Sequence, residues 1–512
     1  MPTWGIFLTD LPRSAGEYVA ILSLGLFAIV APLAICRRWR LLYQLWWPLL
    51  PVHLYICWRY RSVPGDALVS ALLDTSPTEF LHVARAFGAW WLLLPATLAL
   101  YALAVRWVPR EVHLTPAASK KLALGLLVYA LLGLSARQVL EGGNGLPPFF
   151  EASSAAQVFP LSWGMAFERS WEARRAQQQA HGANGRALAP DEPMLLVLVI
   201  GETVRPDHMS VYGYDRPTTP WLQAQRAQWL VYEEAASTAQ WTAVAVPSIV
   251  TRQQGGKTVN LLKVFREGGF QTAWFSNQNR ADFALAADFS NFPDSDVDLY
   301  YRQDEAMLPL AASHINQGAR RQLLVLHMRG SHYPYDLAYR AEARRFRPTL
   351  TEAGVAMPPS PRDRPAVVNS YDNTIVALDR FLERLILMLQ AQTRPVFLMY
   401  TSDHGENLLD DERELFMHAL PQASRYDLRV PLLFWTNAAY CERWQDKCTA
   451  LRAHRTHPVS HMNAFPTLLD IAAIRWEGAD DAASLASWGF QPRERMTLDS
   501  LGLPAKPVEE VR

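Results

Sequence analysis

The 512-residue chain has no charge bias. It carries 49 Lys and Arg against 49 Asp and Glu, so no global positive field draws it to nucleic acid, and no nucleic-acid partner is expected. Cysteine is scarce as well. Of the four present, only Cys441 and Cys448 lie outside the apolar N-terminal part, so the remainder can hold at most one disulfide. The stretch "YCERWQDKC" is loop-like and able to close a small ring in an oxidising compartment; two unpaired surface thiols are the alternative. The first apolar run has neither a basic segment ahead of it nor an Ala-x-Ala site after it, which excludes a cleaved signal peptide and leaves a retained helix. Internal repeats are absent too.

What the front of the chain does have is long apolar runs. Residues 18–36, 41–58, 89–105 and 122–136 each approach the roughly 20 residues needed to cross a bilayer, so residues 1–140 read as a transmembrane helical domain of about four spans. Arg37, Arg38 and Arg40 after the first run, and Arg106, Arg110, Lys120 and Lys121 between the third and fourth, set those loops on the cytoplasmic side. Both the N-terminus and the long C-terminal part then face outward, into a periplasm or an equivalent compartment. Residues 62–88 form an outward loop with apolar residues at helical spacing, suited to lying on a membrane surface. Residues 141–192 read as a bridging helix and linker, 193–485 as a globular domain, and 486–512 as a polar tail.

In the globular part, short continuous apolar runs alternate with helical patterns: "MLLVLVIG", "QTAWFS", "QLLVLHM", "PVFLMYTSD" and "VPLLFWT", with "NSYDNTIVALDRFLERLILMLQA" the clearest amphipathic helix. Strands that are apolar throughout are buried on both faces. The expected fold is therefore α/β, a mostly parallel central sheet between helix layers. In such sheets ligands gather at the carboxyl ends of the strands.

Glu202 follows one such strand, His327 and His332 another, and Asp403 and His404 a third. Glu202, Asp403 and His404 form a hard O,O,N donor set suited to Zn²⁺ or Mn²⁺. Thr242, in "STAQWTAVAVPS" where a helix amino terminus can begin, is a candidate fourth ligand, and a metal on its hydroxyl would make it a nucleophile. His332 in "LHMRGSHYPY" and His418 in "ELFMHALP" are candidates for a second metal or for steadying a phosphate. His327 lies inside an apolar run and reads as a hydrogen-bonded core residue behind the ligands, as does Glu406 two residues past His404. Each has a plainer reading: Glu202 as a helix cap, Asp-His-Gly as a turn, Thr242 as packing. Their coincidence at three strand ends of one domain favours the site.

In order, "VIGETVRPDHMSVYGYDRPTTPWL", "QWTAVAVPS", "HMRGSHYPY", "YDNTIVALDRFL" and "TSDHGENL" resemble the membrane-bound phosphoethanolamine transferases of the sulfatase and alkaline phosphatase superfamily. The resemblance covers the whole soluble domain and implies a sulfatase-like fold. It also implies transfer of phosphoethanolamine from phosphatidylethanolamine to lipid A, a core sugar of lipopolysaccharide or a periplasmic glucan, through a phosphorylated Thr. By position it makes Glu202, Thr242, Asp403 and His404 the principal zinc ligands, with Thr242 the nucleophile. His332 and His418 would bind a second Zn²⁺ or the substrate phosphate, and Glu79 in "LDTSPTEFLHV" would touch the ethanolamine headgroup. A monomer in a bacterial inner membrane is expected, in contact with membrane lipids, its catalytic domain in the periplasm. Two features depart from the family: four spans where five are usual, and one possible disulfide where several are common. The rivals are a phosphoglycerol transferase and a phosphodiesterase or sulfatase-type hydrolase. A sulfatase needs C/S-x-P-x-R, and Ala245 and Ile249 stand at the first and last of those positions.

Overall fold

The computed structural model describes residues 192–499 apart from 296, 297, 299, 300, 421 and 422, the segments 66–74, 161–178 and 504–511, and isolated positions between 53 and 187. Apart from a few such positions, the four expected spans lie outside the described residues, as does Glu79. Among the described residues no helix is long and apolar enough to cross a membrane. The chain divides into two compact units. In the first, helix α1 (Asp66–Asp74) lies within the loop read as amphipathic, and α2 (Leu161–Gln178) begins in the same unit. The buried Ser70 and Ser170 hydroxyls meet at 3.0 Å.

The second unit is built on eight strands: β1 (Met194–Gly201), β2 (Trp229–Ala236), β3 (Gln271–Ser276), β4 (Phe289–Asn291), β5 (Arg321–His327), β6 (Val396–Ser402), β7 (Arg429–Thr436) and β8 (Val459–Ser460). They form one sheet in the order β8-β2-β7-β6-β1-β5-β3-β4. Only β7 runs against the others, so the sheet is mostly parallel, as its apolar strands imply. Pro431 lies inside β7 and has no N–H to donate; the register with β2 shifts between Val430 and Leu432 around it. The outermost strands, β8 and β4, are two and three residues long, which leaves little open edge for another chain to extend.

Every residue of β1 is buried. Met194, Leu196, Leu198 and Ile200, alternating along the strand, share one hydrophobic core with Val246, Ile249 and Val250 of α3 (Thr242–Val250), Leu262 and Phe265 of α4 (Leu261–Glu267), and Phe465 and Leu468 of the C-terminal helix Ala464–Ile471. Helix α5 (Met307–Asn316) packs on β3 and β5, and α6 (Arg364–Gln390), the long amphipathic helix expected from the sequence, packs on α5. Cys441 and Cys448 are joined as a disulfide between the short helices Ala438–Arg443 and Gln445–Ala453. In the C-terminal segment, Met496–Leu498 pairs with Pro504–Pro507, and the Leu498 amide donates to the Thr238 carbonyl at 2.7 Å.

Candidate metal centre and nucleophile

The sheet register brings the acids together. β1 lies between β5 and β6, with Ile200 opposite both His327 and Thr401, and Gly201 opposite Ser402. The next residues along, Glu202 and Asp403, therefore leave the sheet side by side. Their peptides stay tied: the Asp403 amide donates to the Gly201 carbonyl at 3.0 Å, and the Thr203 amide donates to Asp403 Oδ1 at 3.1 Å. Gly201 has Tyr400 against it, where a Cβ would fall 2.5 Å from the phenol oxygen.

His404 completes the group. Its Nδ1–H donates to the Gly405 carbonyl at 2.8 Å, which sets the tautomer and leaves the lone pair on Nε2. That nitrogen is 3.3 Å from Glu202 Oε1 and 3.4 Å from Asp403 Oδ2. Both carboxylate oxygens are buried with no hydrogen-bond donor. Burial, and then the charge of Asp403, pushes the Glu202 carboxyl well above the usual range. Burial acts the same way on Asp403, but His404 and the neighbouring donors outweigh it and hold Asp403 below. Burial lowers His404. Two fully buried carboxylates and a neutral imidazole, all aiming lone pairs at one point, are costly unless a cation sits between them. Their ligand atoms lie within 4.8 Å of one another, and the donor set fits Zn²⁺.

Thr242 is the first residue of α3, following Trp241 in extended conformation. Its hydroxyl donates to Glu202 Oε2 at 3.1 Å and lies 3.4 Å from His404 Nε2. The nucleophile candidate thus touches two of the three ligand candidates. It also stands where the helix amides and dipole favour an anion. Ala245 and Ile249, at the positions a sulfatase needs for its nucleophile and its Arg, are buried, and Ile249 belongs to the hydrophobic core.

Glu202 also belongs to a second group with His332 and His418, whose ligand atoms and a Glu202 oxygen likewise fall within 4.8 Å of one another. His332 Nδ1–H donates to the Tyr333 carbonyl at 2.6 Å. His418 Nδ1 is 3.1 Å from Glu406 Oε1, and its ring centroid is 4.3 Å from that of His404. Burial pushes the Glu406 carboxyl up to about 8. His327, the last residue of β5, is buried, with Nδ1 3.4 Å from the Ser276 hydroxyl and its ring edge-on to Trp274.

Three neighbours escaped the sequence reading. Gln278 Nε2 donates to Glu202 Oε2 at 2.9 Å and to the Met328 carbonyl at 3.1 Å. It follows β3, so the strand-end rule reaches it, but an uncharged amide draws no notice. Ser402 accepts from the Val204 amide and donates to the His404 carbonyl. His461 Nε2–H donates to the Ser402 carbonyl at 2.9 Å; lying far along the chain just before Ala464–Ile471, it carries no local signal.

A mostly parallel sheet with two carboxylates and a histidine at the ends of its central strands, and a hydroxyl at a helix start beside them, defines an α/β domain of the alkaline phosphatase superfamily type. The chain belongs to the sulfatase family, whose model matches residues 195–474. Its resemblance to the phosphoethanolamine transferases of that superfamily holds in comparisons with individual proteins. It is 32% identical over 247 residues to YhbX of Escherichia coli (strain K12), covering 47% of this chain and 42% of YhbX. It is 26% identical over 472 residues to the phosphoethanolamine transferase EptA of the same strain, covering 83% of this chain and 82% of the relative. The chain spans less than half of YhbX. Among solved structures, the integral membrane lipooligosaccharide phosphoethanolamine transferase A of Neisseria meningitidis shares the fold with a TM-score of 0.75 at 20% identity, covering 95% of both chains. The periplasmic domain of EptC from Escherichia coli, solved with Zn, gives 0.57 at 21% identity, over 65% of this chain and 97% of that one.

Proposed function

We propose that this protein transfers phosphoethanolamine from phosphatidylethanolamine to a lipid A-type acceptor at the outer face of a bacterial inner membrane, with Thr242 as the nucleophile. The carrying observation is the Thr242 hydroxyl at a helix N-terminus, bonded to Glu202 inside the Glu202, Asp403 and His404 cluster. The names of the relatives support the transferred group and the acceptor class, and the apolar N-terminal runs support the location.

Glu202, Asp403, His404 and Thr242 would hold a Zn²⁺, whose charge lowers the pKa of the threonine hydroxyl and offsets charge on the phosphoryl oxygens. The chain's own residues do the rest. Thr242 gives up its proton along its hydrogen bond to Glu202 as Oγ1 forms a bond to phosphorus. The phosphorus–oxygen bond to diacylglycerol breaks, and the departing alkoxide takes up a proton. The group is then a phosphoethanolamine ester of Thr242. The positive end of the α3 dipole favours its negative charge, and His332 and His418 orient it. An acceptor hydroxyl attacks the same phosphorus in the second half, loses its proton, and Thr242 Oγ1 leaves and is reprotonated.

Incubation of the full-length protein in vesicles containing ethanolamine-labelled phosphatidylethanolamine is expected to leave label on the protein, at the peptide carrying Thr242. Thr242→Ala is expected to fold normally, carry no label and transfer none. Transfer by that variant at the normal rate would rule out the nucleophile, and preferential labelling from phosphatidylglycerol would change the donor.

A further inference from the structure

Thr203, between Glu202 and the rest of its loop, has φ +55°. The left-handed region suits glycine and sometimes asparagine; a β-branched residue there is a true outlier, because its Cβ crowds the backbone. Such conformations persist only where the surroundings over-determine them. Here the holding groups can be named. The Tyr371 hydroxyl donates to the Thr203 carbonyl at 2.6 Å and accepts from the Arg205 amide at 2.9 Å, bridging the two ends of the turn. The Thr203 amide donates to Asp403 Oδ1, and the Val204 amide to Ser402 Oγ at 2.8 Å. The Glu202 carbonyl accepts from the Ser331 amide at 2.9 Å.

Tyr371 comes from the middle of α6 and is wholly buried, with its ring edge-on to those of His208 and Tyr335. It is the only one of these partners that grips residue 203 from outside the strand ends. The link to the centre is short. Rotating Thr203 out of the left-handed region would turn the peptide joining it to Glu202 and pull its amide off Asp403 Oδ1. One change would therefore misaim Glu202 and leave Asp403 Oδ1 with one of its two amide donors, that of His404 at 2.7 Å, loosening the hold that keeps Asp403 Oδ2 facing the cluster.

We propose that Tyr371 is a positioning residue of the metal centre: its hydroxyl, bonded to Thr203 and Arg205, holds Thr203 left-handed and so aims the Glu202 and Asp403 carboxylates at a shared cation. This rests on the metal reading given under Proposed function, and extends it to a residue that touches neither cation nor substrate.

The test is zinc affinity of the full-length protein, measured by competition with a chromophoric chelator well below the unfolding temperature. The set is the parent, Tyr371→Phe, Thr203→Gly and the double variant. Tyr371→Phe is expected to weaken zinc binding about 10- to 100-fold, the usual effect of removing a group that orients a ligand. Thr203→Gly alone should bind like the parent. In the double variant, glycine adopts the left-handed region without a Cβ penalty, so most of the lost affinity should return. A residue that merely fills the core would lower the unfolding temperature and leave zinc affinity unchanged, and glycine would rescue nothing; either result overturns the proposal. If Tyr371→Phe does not fold, the double variant decides: near-parental affinity supports the role and weak binding overturns it. A parent protein that takes up no zinc would instead overturn the metal reading, and the positioning role with it.

Discussion

At the scale of single residues, the centre depends on backbone approaches as much as on side chains. Gly330 lies in the loop between β5 and His332 with φ +52°. A Cβ there would fall 2.9 Å from both the amide nitrogen and the carbonyl oxygen of Glu202. Asp304 braces the same loop, accepting from the Arg329 and Gly330 amides at 2.8 and 2.9 Å. The clash is with rigid backbone, so Gly330→Ala must shift either this loop or the Glu202 peptide. The strained conformation alone costs about 1–3 kcal/mol, and the displaced contact adds to it. The variant is expected to unfold at lower temperature and to bind zinc more weakly, as calorimetry and metal analysis would read. Unchanged values in both would mean that the loop does not bear on Glu202. None of this is legible in the sequence, because a positive φ in Thr203 or a backbone contact at Gly330 exists only once distant segments have met.

At the scale of elements, the strands with uninterrupted apolar residues, β1, β3, β5, β6 and β7, stand where the sequence reading put them, as does α6, because burial on both faces or on one stripe writes itself into residue order. β2 went unread. Its "WLVYEEAA" carries two exposed glutamates in mid-strand, tolerable near the edge of the sheet but a break in any apolar pattern. The reversed direction of β7 was equally hidden, since periodicity carries no direction. Helix α6 also holds the short helix Pro220–Ala224: Asp379 accepts from the Trp221 and Leu222 amides at 2.8 and 3.0 Å. Burial raises its carboxyl to about 6, with Glu383 adding to the rise and the amides and Arg345 opposing it. A folded-state value above the unfolded one means that the folded protein holds the proton more tightly. That contribution is complete below about 3.8 and is lost as pH rises to about 6. At about 1.4 kcal/mol per pH unit the span is worth about 3 kcal/mol. Asp379→Asn keeps an acceptor and removes the ionisation, so its stability, followed by denaturant unfolding, should lack the decline that the parent shows from about pH 4 to 6.

At the scale of the whole molecule, residues from three strand ends and a helix start become one centre only through the sheet order. The sequence showed which residues end strands; the pairing of β1 with both β5 and β6 made Glu202, Asp403 and His404 neighbours. The energetic consequence can be measured. Two carboxyl groups buried together, one of them resisting ionisation, weaken the fold without a cation and strengthen it with one. Zinc at about 100 times its Kd should add about 2.7 kcal/mol, a rise of about 2–4 °C in the unfolding temperature of the full-length protein, reversed by a chelator. Glu202→Gln should cross over. The glutamine can still accept from Thr242 and removes the repulsion with Asp403, so the metal-free variant is expected to unfold at or above the temperature of the metal-free parent. In zinc the order reverses, because the variant has lost a ligand. Thermal unfolding of both proteins in chelator and in zinc gives four temperatures. If Glu202→Gln were less stable than the parent by the same margin in both conditions, Glu202 would be a structural acid and the cluster no metal centre.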